Sequence, residues 1–195
     1  MAKNRRNQVR IIAGSLRGRM VNFGDASGLR PTGNRLRETL FSWLQAEIPE
    51  SCCLDMFAGS GVLGFEAISR GANEVILLER DATVCRQLRD SVQQLGVKEV
   101  QVHCLDSTKH GSLPVPRSGF YNIVFIDPPF AENLHDKAII NLAHSGLLGI
   151  GAVVVVESDA RSDSLPVPAG WSLIKNKVAG EVRLSVYRIE NARVS

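Results

Sequence analysis

The stretch Cys52-Cys53-Leu54-Asp55-Met56-Phe57-Ala58-Gly59-Ser60-Gly61-Val62-Leu63-Gly64 decides how this chain folds. An apolar run ends in an acid, glycines follow at positions 59, 61 and 64, and apolar residues then continue at helical spacing toward Ser69. This pattern is a β-strand entering a helix through a tight turn, where residues without a Cβ let the backbone bend and approach a ligand closely. The helix would aim its free N–H groups and positive dipole end at the crevice along the carboxyl ends of the strands, where open α/β sheets bind ligands. Phe57, Ala58, Gly59, Ser60 and Gly61 are therefore a candidate ligand loop. The glycine spacing also satisfies the dinucleotide fingerprint, so a nicotinamide enzyme is the first rival. Asp55 speaks against that rival. A carboxylate at the strand end would repel a pyrophosphate, whereas it suits the cationic amino group of a methionine moiety.

Outward from the loop, the next two strands also end in acids. Glu79 closes the segment Val75–Leu78, at the distance where an acid typically binds ribose hydroxyls. Its plainer reading is a surface acid paired with Arg80. Asp106 follows Val100–His103 and could accept from an adenine amino group, with Ser107 beside it; its plainer reading is a turn cap. Three acids at the ends of three consecutive strands form a stronger signal than any one of them.

The fourth strand, Ile123–Ile126, runs into Asp127-Pro128-Pro129-Phe130. Prolines fix φ and lack N–H donors, so the turn is stiff and its carbonyls remain free to accept. Such a turn suits a planar base bearing an exocyclic amino group: Asp127 and the Pro128 carbonyl accept the two N–H hydrogens, and Phe130 stacks on the ring. An exocyclic amino nitrogen is a poor nucleophile because its lone pair is delocalised. Acceptors on both hydrogens favour pyramidal nitrogen and stabilise the positive charge that develops as it attacks a methyl group. Asp127 either takes the proton or orients the amine while water takes it, and the sequence leaves both open. The chemistry needs no metal, and the sequence shows no ligand cluster.

The other strand candidates are Ala152–Val156, Leu173–Val178 and Leu184–Ile189; helical patterns lie at Val62–Ser69, Ala82–Leu95 and Glu132–Ser145. Strands alternating with helices imply an α/β fold with a mostly parallel sheet covered on both faces. The last two strands have no helix between them and should pair antiparallel near Ala179-Gly180. Ahead of all this, Val9–Ile12 and Met20–Phe23 suggest a β-hairpin, and Leu36, Leu40, Phe41 and Leu44 fall at helical spacing before Pro49. We expect residues 1–48 to form a small basic module and 49–195 the main domain.

A chain of 195 residues, 44% hydrophobic and 22% charged, fits one soluble domain with a small appendage. It shows no signal peptide and no apolar run long enough to span a bilayer, which points to the cytoplasm and away from membranes. The four cysteines lack the spacing of a zinc or redox motif and read as small apolar residues. Net charge is only +3, yet residues 1–37 carry nine cations against the single acid Asp25. A basic arm on a near-neutral body is the footprint of a polyanion binder, and Arg10, Arg17, Arg19, Arg30, Arg35 and Arg37 are the candidate nucleic-acid contacts.

Leu54–Ala67 and Asp127–Phe130 together resemble the methyltransferases that modify exocyclic amino groups, a class that also includes enzymes acting on DNA adenine and on protein glutamine. Three further stretches narrow the likeness: Arg10–Arg19, Gly28-Leu29-Arg30-Pro31-Thr32 and Arg35-Leu36-Arg37-Glu38-Thr39-Leu40-Phe41. With Ser69-Arg70-Gly71-Ala72 and Val186-Tyr187-Arg188, the chain resembles the RsmD family over nearly its whole length. The resemblance implies a Rossmann-like class I fold with a seven-stranded, mostly parallel sheet and an N-terminal hairpin and helix. It implies methyl transfer from S-adenosylmethionine, leaving S-adenosylhomocysteine, to guanine N2 in 16S ribosomal RNA assembled with ribosomal proteins. By matching position, Asp55, Gly59 and Gly61 would contact the donor's methionine part, Glu79 its ribose and Asp106 its adenine. Asn34 stands where the family's pattern has an acid, and Val62 and Phe65 replace smaller or aliphatic residues. Adenine or glutamine as the acceptor is the competing expectation, and a non-catalytic RNA-binding factor with a relic pocket is a third.

Overall fold

The computed structural model describes residues 7–23, 33–129, 132–162 and 165–190. A two-stranded hairpin, β1 (Asn7–Arg10) and β2 (Met20–Phe23), precedes α1 (Asn34–Trp43). Then follow β3 (Cys52–Asp55), α2 (Val62–Ser69), β4 (Glu74–Glu79), α3 (Ala82–Leu95), β5 (Val100–Cys104) and β6 (Tyr121–Ile126). The chain ends with α4 (His135–His144), β7 (Leu148–Asp159), β8 (Trp171–Ala179) and β9 (Val182–Ile189). The main sheet has seven strands in the order β5-β4-β3-β6-β7-β9-β8. Strands β3 to β7 are parallel, and β9 lies antiparallel to both β7 and β8. Hence β8 runs the same way as the parallel strands, and its carboxyl end reaches the edge where Asp55 and Asp127 lie. No helix among the described residues is long and apolar enough to cross a membrane.

Alternation along the strands builds two apolar layers. Cys53, Ile123, Phe125, Val153, Val155, Leu184 and Val186 face one side; Cys52, Leu54, Val124, Ile126, Val154 and Val156 face the other. Apolar residues on both strand faces require covering on both. The first layer takes in the hairpin and α1, whose Val9, Ile11, Val21, Phe23, Leu40, Phe41 and Leu44 join that cluster. The second lies under α4, through Ala138, Ile139 and Leu142.

Several boundaries differ from the periodicity. β3 stops at Asp55: the Met56 N–H makes the last bond of the ladder, to the Phe125 carbonyl, and the chain then turns so that Ala58 N donates to Leu78 O on the other neighbouring strand. α4 starts at His135 rather than Glu132, since Asn133 adopts φ 49° and Leu134 is the N-cap. β7 runs well beyond Val156, since Glu157, Ser158 and Asp159 keep pairing with β9. Polar residues there are held by an antiparallel neighbour, a cause that local apolarity does not report.

The direction of the helices places everything else. α2 and α3 follow parallel strands, so they start at the carboxyl edge of the sheet and descend to the amino edge. The hairpin turn is fastened at that lower end: Ser15 N donates to Ser69 O (2.7 Å), Leu16 N to Ser69 Oγ (2.9 Å) and Arg19 Nη2 to Gln94 O (3.0 Å). Gly14, at φ +84°, is required here, because a Cβ would sit 1.8 Å from Ser69 O. α1 descends too. Thr39 is bonded to Lys177, near the carboxyl end of β8, whereas Glu47, just past the helix, pairs with Arg188 near the amino edge.

Candidate active site

Asp55 ends β3 with 1% of its surface exposed. Burial pushes its carboxyl up to about 7; the Phe57 N–H, at 3.3 Å from Oδ1, opposes this and nearby Glu79 adds to it. The glycine turn that follows uses its conformational freedom in two ways. Gly59 and Gly61 take φ of 49° and 75°, the latter as the N-cap of α2. At Gly64 a Cβ would meet Leu77 Cδ2 at 2.4 Å, so this glycine lets α2 lie tight on β4.

Glu79 is bound to the same turn. Its Oε2 accepts from Gly59 N at 3.1 Å, and its Oε1 accepts from Arg80 N and Asp81 N at 2.8 and 2.9 Å. One carboxylate thus fixes the distance between the ends of β3 and β4, and Oε2 keeps acceptor capacity. The plainer reading of Glu79 as the partner of Arg80's guanidinium is not what forms: Arg80 Nη2 lies 2.5 Å from Glu132 Oε1. That pair reaches from the end of β4 to the segment after β6, above the loop of β3 that stands between them. Asp106 acts as a turn cap, its Oδ1 accepting from Thr108 Oγ1 and N, which holds its carboxyl below the ordinary range. Ser107 Oγ is buried without a hydrogen-bond partner in the structure, while the Ser107 carbonyl accepts from Asn141 Nδ2 at 2.7 Å.

These groups fit a nucleoside with a cationic amino-acid tail. The carboxyl edge of the sheet offers carboxylates at the ends of three adjacent strands, which match an ammonium, ribose hydroxyls and an amino group as donors. A buried acid whose carboxyl is raised by its surroundings, beside a glycine turn, is the kind of group that functional sites collect. Asp127, half-buried, follows β6 on the other side of β3; Pro128 is buried and Pro129 exposed. Strand pairing sets Phe125 opposite Asp55, so Asp127 stands just beyond the acid of β3 on the neighbouring strand. Phe130 lies outside the described residues.

The arginines separate. Arg10, Arg17, Arg19 and Arg35 are exposed. Arg17 and Arg19 sit in the hairpin turn, at the amino edge; Arg35 is in the first turn of α1, toward the carboxyl edge. Arg30 falls outside the described residues. Arg37 is a correction: its side chain is fully buried, so it presents no surface to a nucleic acid. Its Nη2 donates to Arg10 O (2.7 Å) and Asn34 Oδ1 (3.2 Å), tying α1 to the hairpin. Asn34 thereby holds the arginine through an amide.

The residue that sequence reasoning missed is Glu66. It is fully buried in α2, with Oε2 accepting from Ile12 N (2.8 Å) and Oε1 from Ala13 N (3.0 Å) and Arg70 Nε (2.8 Å). A lone acid in an otherwise apolar helix, four residues before an arginine, was the available signal. The cysteines hold no surprise of chemistry: burial pushes the Cys53 thiol up to about 12, and of the four only Cys104 is exposed.

A seven-stranded sheet in this order, with acids on its carboxyl edge and an Asp-Pro-Pro turn beside them, defines a methyltransferase of the Rossmann-like class. Residues 9–188 match the family model described as Conserved hypothetical protein 95. A Haemophilus influenzae relative, ribosomal RNA small subunit methyltransferase D, is 42% identical over 95% of this chain and 96% of its own. Its namesake from Escherichia coli K12 is 42% identical over 94% and 91%. The solved structure of the Escherichia coli protein yhhF superposes with a TM-score of 0.84 at 39% identity, covering 95% of this chain and 99% of that one. The chain belongs to this family, the RsmD-type methyltransferases.

Proposed function

We propose that this protein transfers a methyl group from S-adenosylmethionine to the exocyclic N2 of a guanine in the RNA of the small ribosomal subunit, in the bacterial cytoplasm. The observation that carries the reading is the row of acids on the carboxyl edge: Asp55, Glu79 and Asp106 on consecutive strands, with Asp127 next in line across β3. Asp55 would hold the donor's ammonium, Gly59 and Gly61 its amino-acid backbone, Glu79 the ribose hydroxyls and Asp106 the adenine amino group. Phe57, Ala58 and Ser60 complete the loop around it, with Arg80 and Ser107 beside the outer acids. When bound, the donor supplies an electrophilic methyl on a sulfonium, so no metal is called for.

The chain's own work is to hold the amine. The Asp127 carboxylate and the Pro128 carbonyl accept the two amino hydrogens, which directs the nitrogen lone pair and stabilises charge as it develops. Rigid Pro128 and Pro129 keep those acceptors in place without reorganisation, and Phe130 is the expected stacking partner of the base. The basic module over residues 1–48, with Arg10, Arg17, Arg19, Arg30 and Arg35, would meet phosphates of an RNA already folded on ribosomal proteins.

The test is transfer of labelled methyl from S-adenosylmethionine to small subunits isolated from cells that lack the enzyme, followed by nucleoside analysis. N2-methylguanosine is the expected product. Label on adenine or on a protein glutamine would replace the acceptor, and absence of both label and donor binding would overturn the reading.

A further inference from the structure

Helix α1 and the carboxyl end of β8 enclose a groove of about 670 Å³, lined by Arg35, Glu38, Thr39, Ser42 and Trp43 from the helix and Lys177 from the strand. Its position follows from the sheet register. Ile126 pairs with Val156, so Asp127 comes beside Glu157; Glu157 pairs with Leu184, and Leu184 with Lys177. Lys177 therefore lies in the same row as Asp127, three strands away, roughly 14 Å at ~4.8 Å per strand step. It is on the same side of the sheet as α1, because cross-strand partners share a face and Leu184 belongs to the apolar layer under that helix. Lys177 Nζ reaches across to Thr39 Oγ1 at 3.0 Å.

The composition of the groove names its occupant. Two cations stand against one acid, and Lys175, on the same face as Lys177 by register, extends the positive row along β8. Ser42 offers a hydroxyl of the kind that bonds phosphate and ribose oxygens, Thr39 Oγ1, which donates to Arg35 O, positions Lys177, and partly exposed Trp43 offers an aromatic surface for a base. A negatively charged backbone with planar bases matches this set: the cations meet its phosphates, and the apolar surface of Leu36, Trp43 and Ala179 meets its bases, whereas an apolar peptide would leave Arg35 and Lys177 unmatched.

We propose that this groove is a subsite for the single-stranded RNA next to the target nucleotide, with Arg35 and Lys177 on its phosphates and a base against Trp43. The proposal rests on RNA being the substrate. Its closing experiment measures binding directly, apart from methyl transfer. A labelled single-stranded oligoribonucleotide is titrated against the full-length protein and against a variant carrying Arg35→Glu and Lys177→Glu, over a range of salt. Both side chains are exposed, and S-adenosylhomocysteine binding checks that the variant is folded. The expected result is at least a tenfold loss of RNA affinity, with a salt slope shallower by about 1.4, since each lost phosphate contact on a single strand removes about 0.7. Arg35→Lys with Lys177→Arg should restore most of the affinity. Unchanged affinity and slope in the charge-reversed variant would overturn the groove while leaving the substrate reading intact. A wild-type protein that binds no RNA would overturn the groove as well, and the methylated product of the subunit assay then shows whether the substrate reading fell with it.

Discussion

The two ends of the β3–α2 unit hold buried acids on opposite terms. Glu66, in α2, has both oxygens occupied by its own chain: two backbone N–H groups of the hairpin and the Arg70 guanidinium. Asp55, at the carboxyl end of β3, accepts among the described residues only from the backbone of its own turn, from Phe57 N at 3.3 Å and from Gly64, and burial still pushes its carboxyl up to about 7. A buried polar group with its partners present serves the fold. One that no described side chain of the protein pairs, and whose carboxyl burial still raises beside a glycine turn, is the kind expected to serve a ligand. The same contrast divides the basic residues: Arg37 is sealed within the protein, whereas Arg35, two positions earlier, opens into the groove.

Asp127→Ala gives the largest effect on the carboxyl edge. Removing the acceptor that directs the amine should lower turnover on small subunits about a thousandfold, while calorimetry shows donor affinity within twofold of wild type. Normal turnover would remove Asp127 from the mechanism. On the structural side of the contrast, Glu66→Ala should cost about 3–5 kcal/mol, because it strands the Ile12 and Ala13 N–H groups and leaves Arg70 and Arg37 without their acid. Denaturant unfolding measures this, and the fraction still folded should bind the donor normally. A loss of donor affinity without a loss of stability would make Glu66 part of the site.

Asp55→Asn tests the other acid through pH. With its carboxyl near 7 in the free protein, Asp55 must lose a proton to meet the donor's ammonium, so donor affinity should fall about tenfold per pH unit below 7 and level off above it. The Asn variant should bind about tenfold more weakly at pH 8 and lose that slope. The sign for stability is opposite. A raised folded-state pKa means that ionisation is disfavoured by folding: the penalty is absent below the ordinary carboxylate range, grows as pH rises and is complete above about 7. The Asn variant should therefore unfold at higher temperature than wild type at pH 8. A destabilised variant would place Asp55 with Glu66 among the structural acids.

Which parts were legible in the sequence follows from the same contrast between local and distant partners. The strands of the parallel sheet, α2, α3 and the acids at the strand ends could be read because each is a local pattern: an apolar run, a helical spacing, an acid before a glycine turn. The antiparallel pairing of β8 and β9 followed from the missing helix between them. Glu66 escaped notice because its partners, Ile12 and Ala13, are more than fifty residues away. Arg37 was read as a nucleic-acid contact for the same reason: its charge is visible, and the packing of α1 on the hairpin that buries it is not. The groove joins residues around position 40 to residues around 178, a proximity created only by β8 reaching the carboxyl edge.

The smallest expected effect belongs to the hairpin turn. Arg17 and Arg19 were natural candidates for RNA contacts, yet the turn is fastened to the lower ends of α2 and α3, roughly 20 Å from the carboxyl edge by the length of a fourteen-residue helix. An RNA segment lying in the crevice and the α1–β8 groove does not extend there. Only a large folded substrate that wraps the molecule meets both surfaces. Arg17→Ala with Arg19→Ala should therefore leave binding of a short single strand within twofold of wild type, while weakening binding to intact small subunits and flattening its salt dependence. An equal loss on both substrates would mean that RNA enters along the hairpin rather than past α1. No loss on either would leave the turn a purely structural clamp, with Arg19 serving only to hold Gln94 O.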